Sequence, residues 1–435
     1  MSGIPTVTIV TDPFLTLSRG TQKSQGLTDM CFVTVPHPLG MISKEEVNAK
    51  VDAAFDDIVK AATAWTPSKE KQDAQVKPYP AKRFKFSGTY ADVNDMFQKR
   101  KWSLSLPIVP PTVDKVAAML KGTKRNPAEV LWVVPPRQGM LTVELVAALG
   151  VMAGAKPEHM PLLIATVEAM ADPVAAWRGP TTTTAATVPV FFISGPIIEK
   201  LKLNPGTGTA GGENPVTNAL GYFVNLVGDV VGGSVPPNFD KSTHGSSADL
   251  VAMVFTENAK ENPWKTTYAE EAGFKPSDSI VTHFSAYLGN ANIDHDSKTG
   301  QRLLTTLSTG LLGSASGLAS CLADYDATYA INNKVSFAFI VLCPEHAATI
   351  AKDFPDQRAA RDFMRETAAM PYKFYSQETC VPGKDFGPYD ENTFIPRFKK
   401  TESIKFFVSG GPGKQSQIWV PFPQVFKPVS KKIAE

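Results

Sequence analysis

The chain has 435 residues, of which 43% are hydrophobic and 20% charged, and its formal net charge is +2. Such a length fits two or three domains with buried cores, and the near-neutral charge gives no electrostatic reason for a nucleic-acid or anionic-membrane partner. No apolar run reaches the roughly 18 residues of a membrane span, and "MSGIPTVTIVTDP" lacks a basic stretch ahead of an apolar one, so it reads as a strand rather than a signal peptide.

Residues 1–64 alternate between strand and helix patterns. "TVTIVT" and "CFVTVP" are β-branched runs of strand length, and "FLTLSRGTQKSQG" between them predicts a helix ending at Gly26. "SKEEVNAKVDAAFDDIVKAAT" predicts an amphipathic helix with Ser43 as N-cap and Val47, Val51, Ala54, Phe55 and Val59 on its apolar face. A β-α-β-α order implies a parallel sheet, here a partial module of Rossmann or flavodoxin-like type, because two strands are too few to stand alone. Ligands of such sheets collect beyond the carboxyl ends of the strands. Thr11 and Asp12 after the first strand and His37 after the second are therefore site candidates. Residues 65–82, polar and proline-containing, read as a linker.

Residues 83–435 form the larger α/β domain of the sequence reading. "VLWVVP", "LTVELVAALGVMAG", "KPEHMPLLIATVEAM" and "VPVFFISGP" are echoed by "SIVTHFSA", "GQRLLTTLSTGLLG", "VLCPEHAATIAKDF" and "SIKFFVSGGPG". The echo suggests strand-helix-helix-strand halves near 130–200 and 279–415, related by a pseudo-twofold with a cleft between them. Pro157-Glu158-His159 and Pro344-Glu345-His346 both suit helix starts, where proline loses no hydrogen bond and Glu meets the positive end.

Several groups carry chemistry. "PPNFDKSTHGSSADLVAMVFTENAKENPW" supplies Asp240, Thr243, His244, Glu257 and Glu261; Glu257 follows a strand-like run and could have its pKa moved by an apolar wall such as Trp264. Asp294, His295 and Asp296 read as an Asx turn, and no spacing in the chain indicates a metal site. Thr181 to Thr184 fit either a polar contact or a strand entry. Cys31, Cys321, Cys343 and Cys380 lie far apart with no CxxC pair, which suits a reducing cytoplasm. Cys343 precedes a helix start where a thiolate could be stabilised, but a buried structural thiol is the favoured reading. "FFVSGGPGKQSQIW" fails the Walker spacing and is followed by prolines rather than a helix. Its Ser409, Gly410, Gly411, Gly413, Lys414 and Gln415 form a turn expected to offer backbone donors to a small anionic or carbonyl group.

The run "GIPTVTIVTDPFLTLSRGTQ…FVTVPHPLG…SKEEVNAKVDAAFDDI" resembles the UGSC-type proteins, named for a selenocysteine- or cysteine-Gly-Ser-Cys motif. The runs "SLPIVPPTVDKVAAML", "VVPPRQGMLTVELVAALGVMAGAKPEHMP", "DKSTHG", "ENPW", "VLCPEHAATIA" and "VSGGPGKQS" resemble the larger domain that accompanies that module. The family's motif lies upstream of the "GIPTV" strand, and no Cys-Gly-Ser-Cys occurs in this sequence. The expectation is therefore an oligomeric enzyme subunit whose small partner carries the motif. A small polar substrate would bind between the modules, and the chemistry would be thiol-assisted redox or carbon–sulfur chemistry. Without a partner thiol, cofactor-independent hydratase or lyase chemistry on His37, His244, Glu257 and Glu261 is expected, and a non-catalytic scaffold is the third reading. No motif fixes a cofactor.

Overall fold

The computed structural model describes residues 6–24, 30–40, 42–66, 79–212, 214–236, 243–287, 289–313, 337–375, 390–422 and 425–434. Asp240, Cys321, Cys380 and positions 67–78 of the expected linker lie outside them. The chain is an α/β protein. Near its start, β1 (Thr8–Thr11) and β2 (Phe32–Val35) pair in parallel, with Thr11 opposite Val35. Helices Leu15–Ser24 and Lys44–Thr63 follow the two strands in turn. The second begins on a capping box: Ser43 Oγ accepts the Glu46 N–H at 3.2 Å, and the Glu46 carboxylate accepts the Ser43 N–H at 2.9 Å.

That helix packs Ala54, Ile58 and Ala61 against Val33 and Val35. Val51, Phe55 and Val59, assigned to the same buried face by periodicity, are instead 41%, 56% and 43% exposed. Two strands offer the helix a narrow surface, so only one strip of its broad apolar stripe is covered.

In the larger unit, β3 (Val130–Val134) and β4 (Gly139–Thr142) make an antiparallel hairpin, and β10 (Ala369–Pro371) and β11 (Phe394–Pro396) a second small pair. The remaining strands are β5 (Thr187–Ser194), β6 (Met253–Thr256), β7 (Ile280–Tyr287), β8 (Asn290–Ile293), β9 (Ala338–Leu342), β12 (Ile404–Val408), β13 (Gln415–Trp419) and β14 (Val429–Lys432). They form two four-stranded sheets, ordered β14-β7-β5-β6 and β8-β13-β9-β12. Each reads antiparallel, antiparallel, parallel in that order. Strands β5, β6 and β7 thus correspond to β9, β12 and β13. The fourth strands are exchanged: β8, which follows β7, joins the second sheet, and β14, which follows β13, joins the first.

Two isolated antiparallel bridges join the sheets, Glu257 to Ser409 and Ala286 to Pro421. Both connect residues that the strand registers make equivalent, so a pseudo-twofold axis passes through both bridges. The equivalence differs from the one suggested by the sequence echo. "FFISGP" lies on β5 and "FFVSGG" on β12, whereas the counterpart of β5 is β9. The two Pro-Glu-His triplets are not equivalent either, since one precedes β5 by a helix and the other directly follows β9. "VLWVVP" lies in the hairpin, outside both sheets. The echo reflects shared local needs, a buried strand leaving through a glycine turn and a proline-led helix start, and the duplicated topology runs from 187–293 and 338–432.

Alternation along the strands separates three cores. Phe191 and Ile193 of β5 pack under helices Val143–Met152, Met160–Ala171 and Pro215–Asn225. Phe406 and Val408 of β12 pack under helices Gly300–Gly313, Pro344–Asp353 and Gln357–Thr367. The intervening Phe192 and Phe407 face a third, aromatic core shared by the sheets. Phe192 has ring centroids of Phe339 and Phe407 at 4.5 Å, Phe255 at 5.4 Å and Phe284 at 5.9 Å. Phe192→Ala is expected to cost about 3–5 kcal/mol by lost burial and a residual cavity, read as a lower denaturant midpoint.

Candidate functional site

The carboxyl end of β9 turns directly into helix Pro344–Asp353, with Cys343 as its N-cap. His346, one turn inside, is buried; its Nδ1 lies 2.8 Å from Ser416 Oγ, and its Nε2 lies 3.1 Å from the Asp294 carbonyl oxygen. A carbonyl only accepts, so Nε2 carries a proton and donates it there. Ser416 Oγ also accepts the Cys343 N–H at 3.4 Å. Burial pushes the Cys343 thiol up, but the neighbouring His346 ring with its charge, and the main chain of His346 and Gln415, outweigh it and hold the thiol below its ordinary value. Burial pushes His346 down, but the neighbouring Cys343 with its charge, and the Asp294 carbonyl, carry it above the ordinary imidazole range. The two values move toward each other, which favours passing the thiol proton to the ring. A helix N-terminus adds to the preference for thiolate.

Glu345 organises the neighbouring turn. Its carboxylate accepts the N–H of Gly413 at 2.6 Å and of Lys414 at 3.0 Å, while Lys414 Nζ donates to the His295 carbonyl at 2.9 Å. The Ser409 N–H is bound to the Leu342 carbonyl and the Gly410 N–H to the Pro205 carbonyl. The Ser409, Gly410, Gly413 and Lys414 N–H donors expected for a ligand are thus engaged within the chain, and the anion held by Gly413 and Lys414 is a side chain of the protein. Gly411 serves a close approach, for a Cβ there would stand 2.1 Å from Thr207 Oγ1. Gln415 opens β13 opposite Ile293 and is exposed. Asp294 is an Asx turn, as its sequence suggests: burial would raise its pKa, but hydrogen bonds from Thr306, Ser297 and Asp296 bring it to about 2.

Glu257 sits on the pseudo-twofold. Its N–H donates to the Ile193 carbonyl, its Oε1 accepts the Tyr268 N–H at 2.6 Å, and it is 3% exposed. Oε2 makes no well-formed hydrogen bond, and neither does the fully buried Ser194 hydroxyl, the group placed to influence it. Burial pushes Glu257 up to about 7 against the pull of the Tyr268 N–H and Ser194, and Glu270 and Glu271 push the same way as burial. Directly across the bridge, Ser409 Oγ donates to the Thr256 carbonyl at 2.7 Å. Extending the strand registers by one residue aligns Ser194, Glu257, Ser409 and Cys343 on four successive strands. One strand separates Glu257 from Cys343, roughly 10 Å between backbones.

The other members expected beside Glu257 are elsewhere. The Thr243 N–H and hydroxyl both donate to the Thr184 carbonyl, at 2.7 and 3.3 Å, which fixes Thr243 and the exposed His244 near the amino end of β5. Glu257 is bonded at the carboxyl end of the same strand, and eight residues of strand span roughly 23 Å. Spacing along the sequence hid this separation because the segment between them, ending in β6, carries the chain from one end of β5 to the other. Glu261 is exposed and accepts from Asn258 Nδ2 at 2.7 Å, while Asn258 Oδ1 accepts the Glu261 N–H at 3.3 Å and Asn258 Nδ2 also donates to the Gly410 carbonyl at 3.1 Å.

At the amino-terminal module, the carboxyl ends of β1 and β2 do converge. The Asp12 carboxylate accepts the His37 N–H at 3.0 Å, Thr11 Oγ1 lies 3.2 Å from His37 Nδ1, and Phe14 lies 5.8 Å from the imidazole. All three site candidates of the module share one exposed cluster, on the parallel β-α-β-α frame just described. Residues 1–64 match the UGSC family model. The chain thus carries a UGSC-type module at its start. No curated protein matches the chain.

Beyond the UGSC-type module, the pairing of Cys343 with His346 is what sequence reading missed. Cys-Pro-Glu-His after a buried strand was a usable signal. It sets a thiol at the N-cap and an imidazole at the next position on the same face, the spacing at which helix side chains meet. Among the described residues, no group of three or more His, Cys, Asp or Glu side chains is arranged to hold a metal ion, and no helix is long and apolar enough to cross a membrane.

Proposed function

We propose that the chain is a subunit of a small-molecule enzyme with thiol-assisted chemistry, Cys343 acting as nucleophile, His346 as its proton partner and Glu257 as a general acid or base. The observation that carries this reading is the buried His346, held between Ser416 and the Asp294 carbonyl beside a thiol at a helix N-terminus. The thiolate adds to an electrophilic carbon or sulfur, and the imidazolium returns its proton to the departing group. Glu257, pushed up to about 7, is matched to proton transfer near neutral pH. A free thiol of this kind belongs to a reducing cytoplasm.

A second reading places a hydratase or lyase on Glu257 without covalent catalysis, favoured by its unpartnered Oε2. The exposed Val51, Phe55 and Val59 stripe supports a partner chain at the UGSC-type module, in keeping with a small subunit that carries Cys-Gly-Ser-Cys. The deciding experiment incubates wild type, Cys343→Ala and Glu257→Gln with a panel of acyl thioesters, mixed disulfides and unsaturated acids. Thioester or disulfide turnover by wild type and its loss in Cys343→Ala is the expected result. Undiminished turnover in Cys343→Ala would remove the thiol reading, and loss in Glu257→Gln alone would leave the acid-base one.

A further inference from the structure

A cavity of about 490 Å³ opens on the first sheet's helical side, walled by Trp132, Met170, Pro173, Trp177, Arg178 and Thr182. It is separate from Cys343 and Glu257, and its volume lies in the range of pockets that enclose small organic ligands. Trp132 and Trp177 meet edge to face with centroids 5.8 Å apart. Trp177 is 4% exposed, and its indole N–H is buried without a hydrogen-bond partner.

The charges of the wall are unequal. Asp172, also in the wall, is neutralised by Lys431 Nζ at 2.7 Å, and its carboxylate accepts the Val174 N–H at 3.0 Å. Arg178 has no ion-pair partner among the described residues, so the cavity keeps one available positive charge. Pro135 of "PPRQG" and Thr182 of the threonine run, neither used by the catalytic reading, also belong to the wall.

We infer that this cavity binds a small aromatic carboxylate, its ring against Trp132 and Trp177 and its carboxylate on Arg178. A flat apolar body suits the indole, proline and methionine walls, and a single negative charge suits the Arg178 guanidinium, which binds carboxylates through a planar fork of donors.

Calorimetric titration of the full chain with benzoate and indole-3-acetate, each beside its neutral counterpart benzyl alcohol or indole-3-ethanol, tests the inference. The expected result is saturable binding of at least one carboxylate, with the matching alcohol about tenfold weaker or worse. Arg178→Gln, at an exposed position that leaves the fold alone, should reduce the carboxylate to the affinity of the alcohol. Cys343→Ala should bind as wild type does, so the outcome is independent of the thiol reading. Absence of saturable binding by both carboxylates, or an unchanged affinity in Arg178→Gln, overturns the assignment.

Discussion

Replacing Glu257 by Gln leaves the melting temperature unchanged near pH 4 and raises it above that of wild type at pH 8. The sign follows from proton linkage. Below the ordinary glutamate value of 4.5 the carboxyl is protonated in both folded and unfolded chains, and the buried acid carries no electrostatic penalty. As pH rises past that value, the unfolded chain releases its proton while the folded chain, whose group titrates at about 7, retains it. Wild type therefore loses stability between about 4.5 and 7 and then stays level, the total loss being roughly 3 kcal/mol. Gln keeps the shape and still accepts the Tyr268 N–H but cannot ionise, so its difference from wild type should open across this window. Melting curves of both proteins from pH 4 to 8 measure it. A constant difference at all pH values would mean that Glu257 ionises as freely in the folded chain as in the unfolded one. If Glu257 also transfers a proton in catalysis, the more stable variant is the less active one, which is the expected trade-off where function holds an acid in an apolar place.

The sequence made Glu257 visible for a local reason: it directly follows a buried strand run, and strand ends are where polar groups meet cores. Thr11, Asp12 and His37 were visible for the same reason at the ends of β1 and β2. What could not be read was which strand ends meet. Ser409 reaches Glu257 only because two sheets join at a pseudo-twofold, a relation between segments about 150 residues apart with no periodic trace in either. The sequence echo misled about the duplication. Apolar strands leaving through Ser-Gly look alike wherever they occur, so "FFISGP" and "FFVSGG" matched while the true counterparts, β5 and β9, end in Ser194-Gly195 and Cys343-Pro344. Exchange of β8 and β14 hid the symmetry further, because no contiguous segment builds either sheet. The turn at 409–416 shows a different limit. Its glycines read as a turn of backbone donors, yet nothing local could reveal that Glu345 takes those of Gly413 and Lys414.

Substituting His346 by Gln should move the ionisation of Cys343 upward. Opposing influences act on the sulfur: burial favours the neutral thiol, and the His346 ring, together with the main chain of His346 and Gln415, favours the thiolate and prevails. Gln can still meet Ser416 and the Asp294 carbonyl through its amide, so the packing is retained, but it supplies no positive charge and takes up no proton. Burial is then opposed by the main chain alone, and the thiol is a weaker acid than in wild type. Absorbance at 240 nm against pH, with the trace of Cys343→Ala subtracted, isolates this one thiol from Cys31 and the other cysteines. Wild type should show thiolate at lower pH than His346→Gln does. Alkylation of the Cys343 peptide near pH 7, followed by mass spectrometry, should slow by about tenfold or more in the variant, because the thiolate is the attacking species. Equal titration midpoints in the two proteins would show that the helix N-terminus alone sets the thiol, and the pairing that carries the functional reading would then be packing. The same comparison separates the two enzyme readings: Glu257 catalysis without a nucleophile is indifferent to the charge of residue 346, whereas thiol catalysis falls with the thiolate.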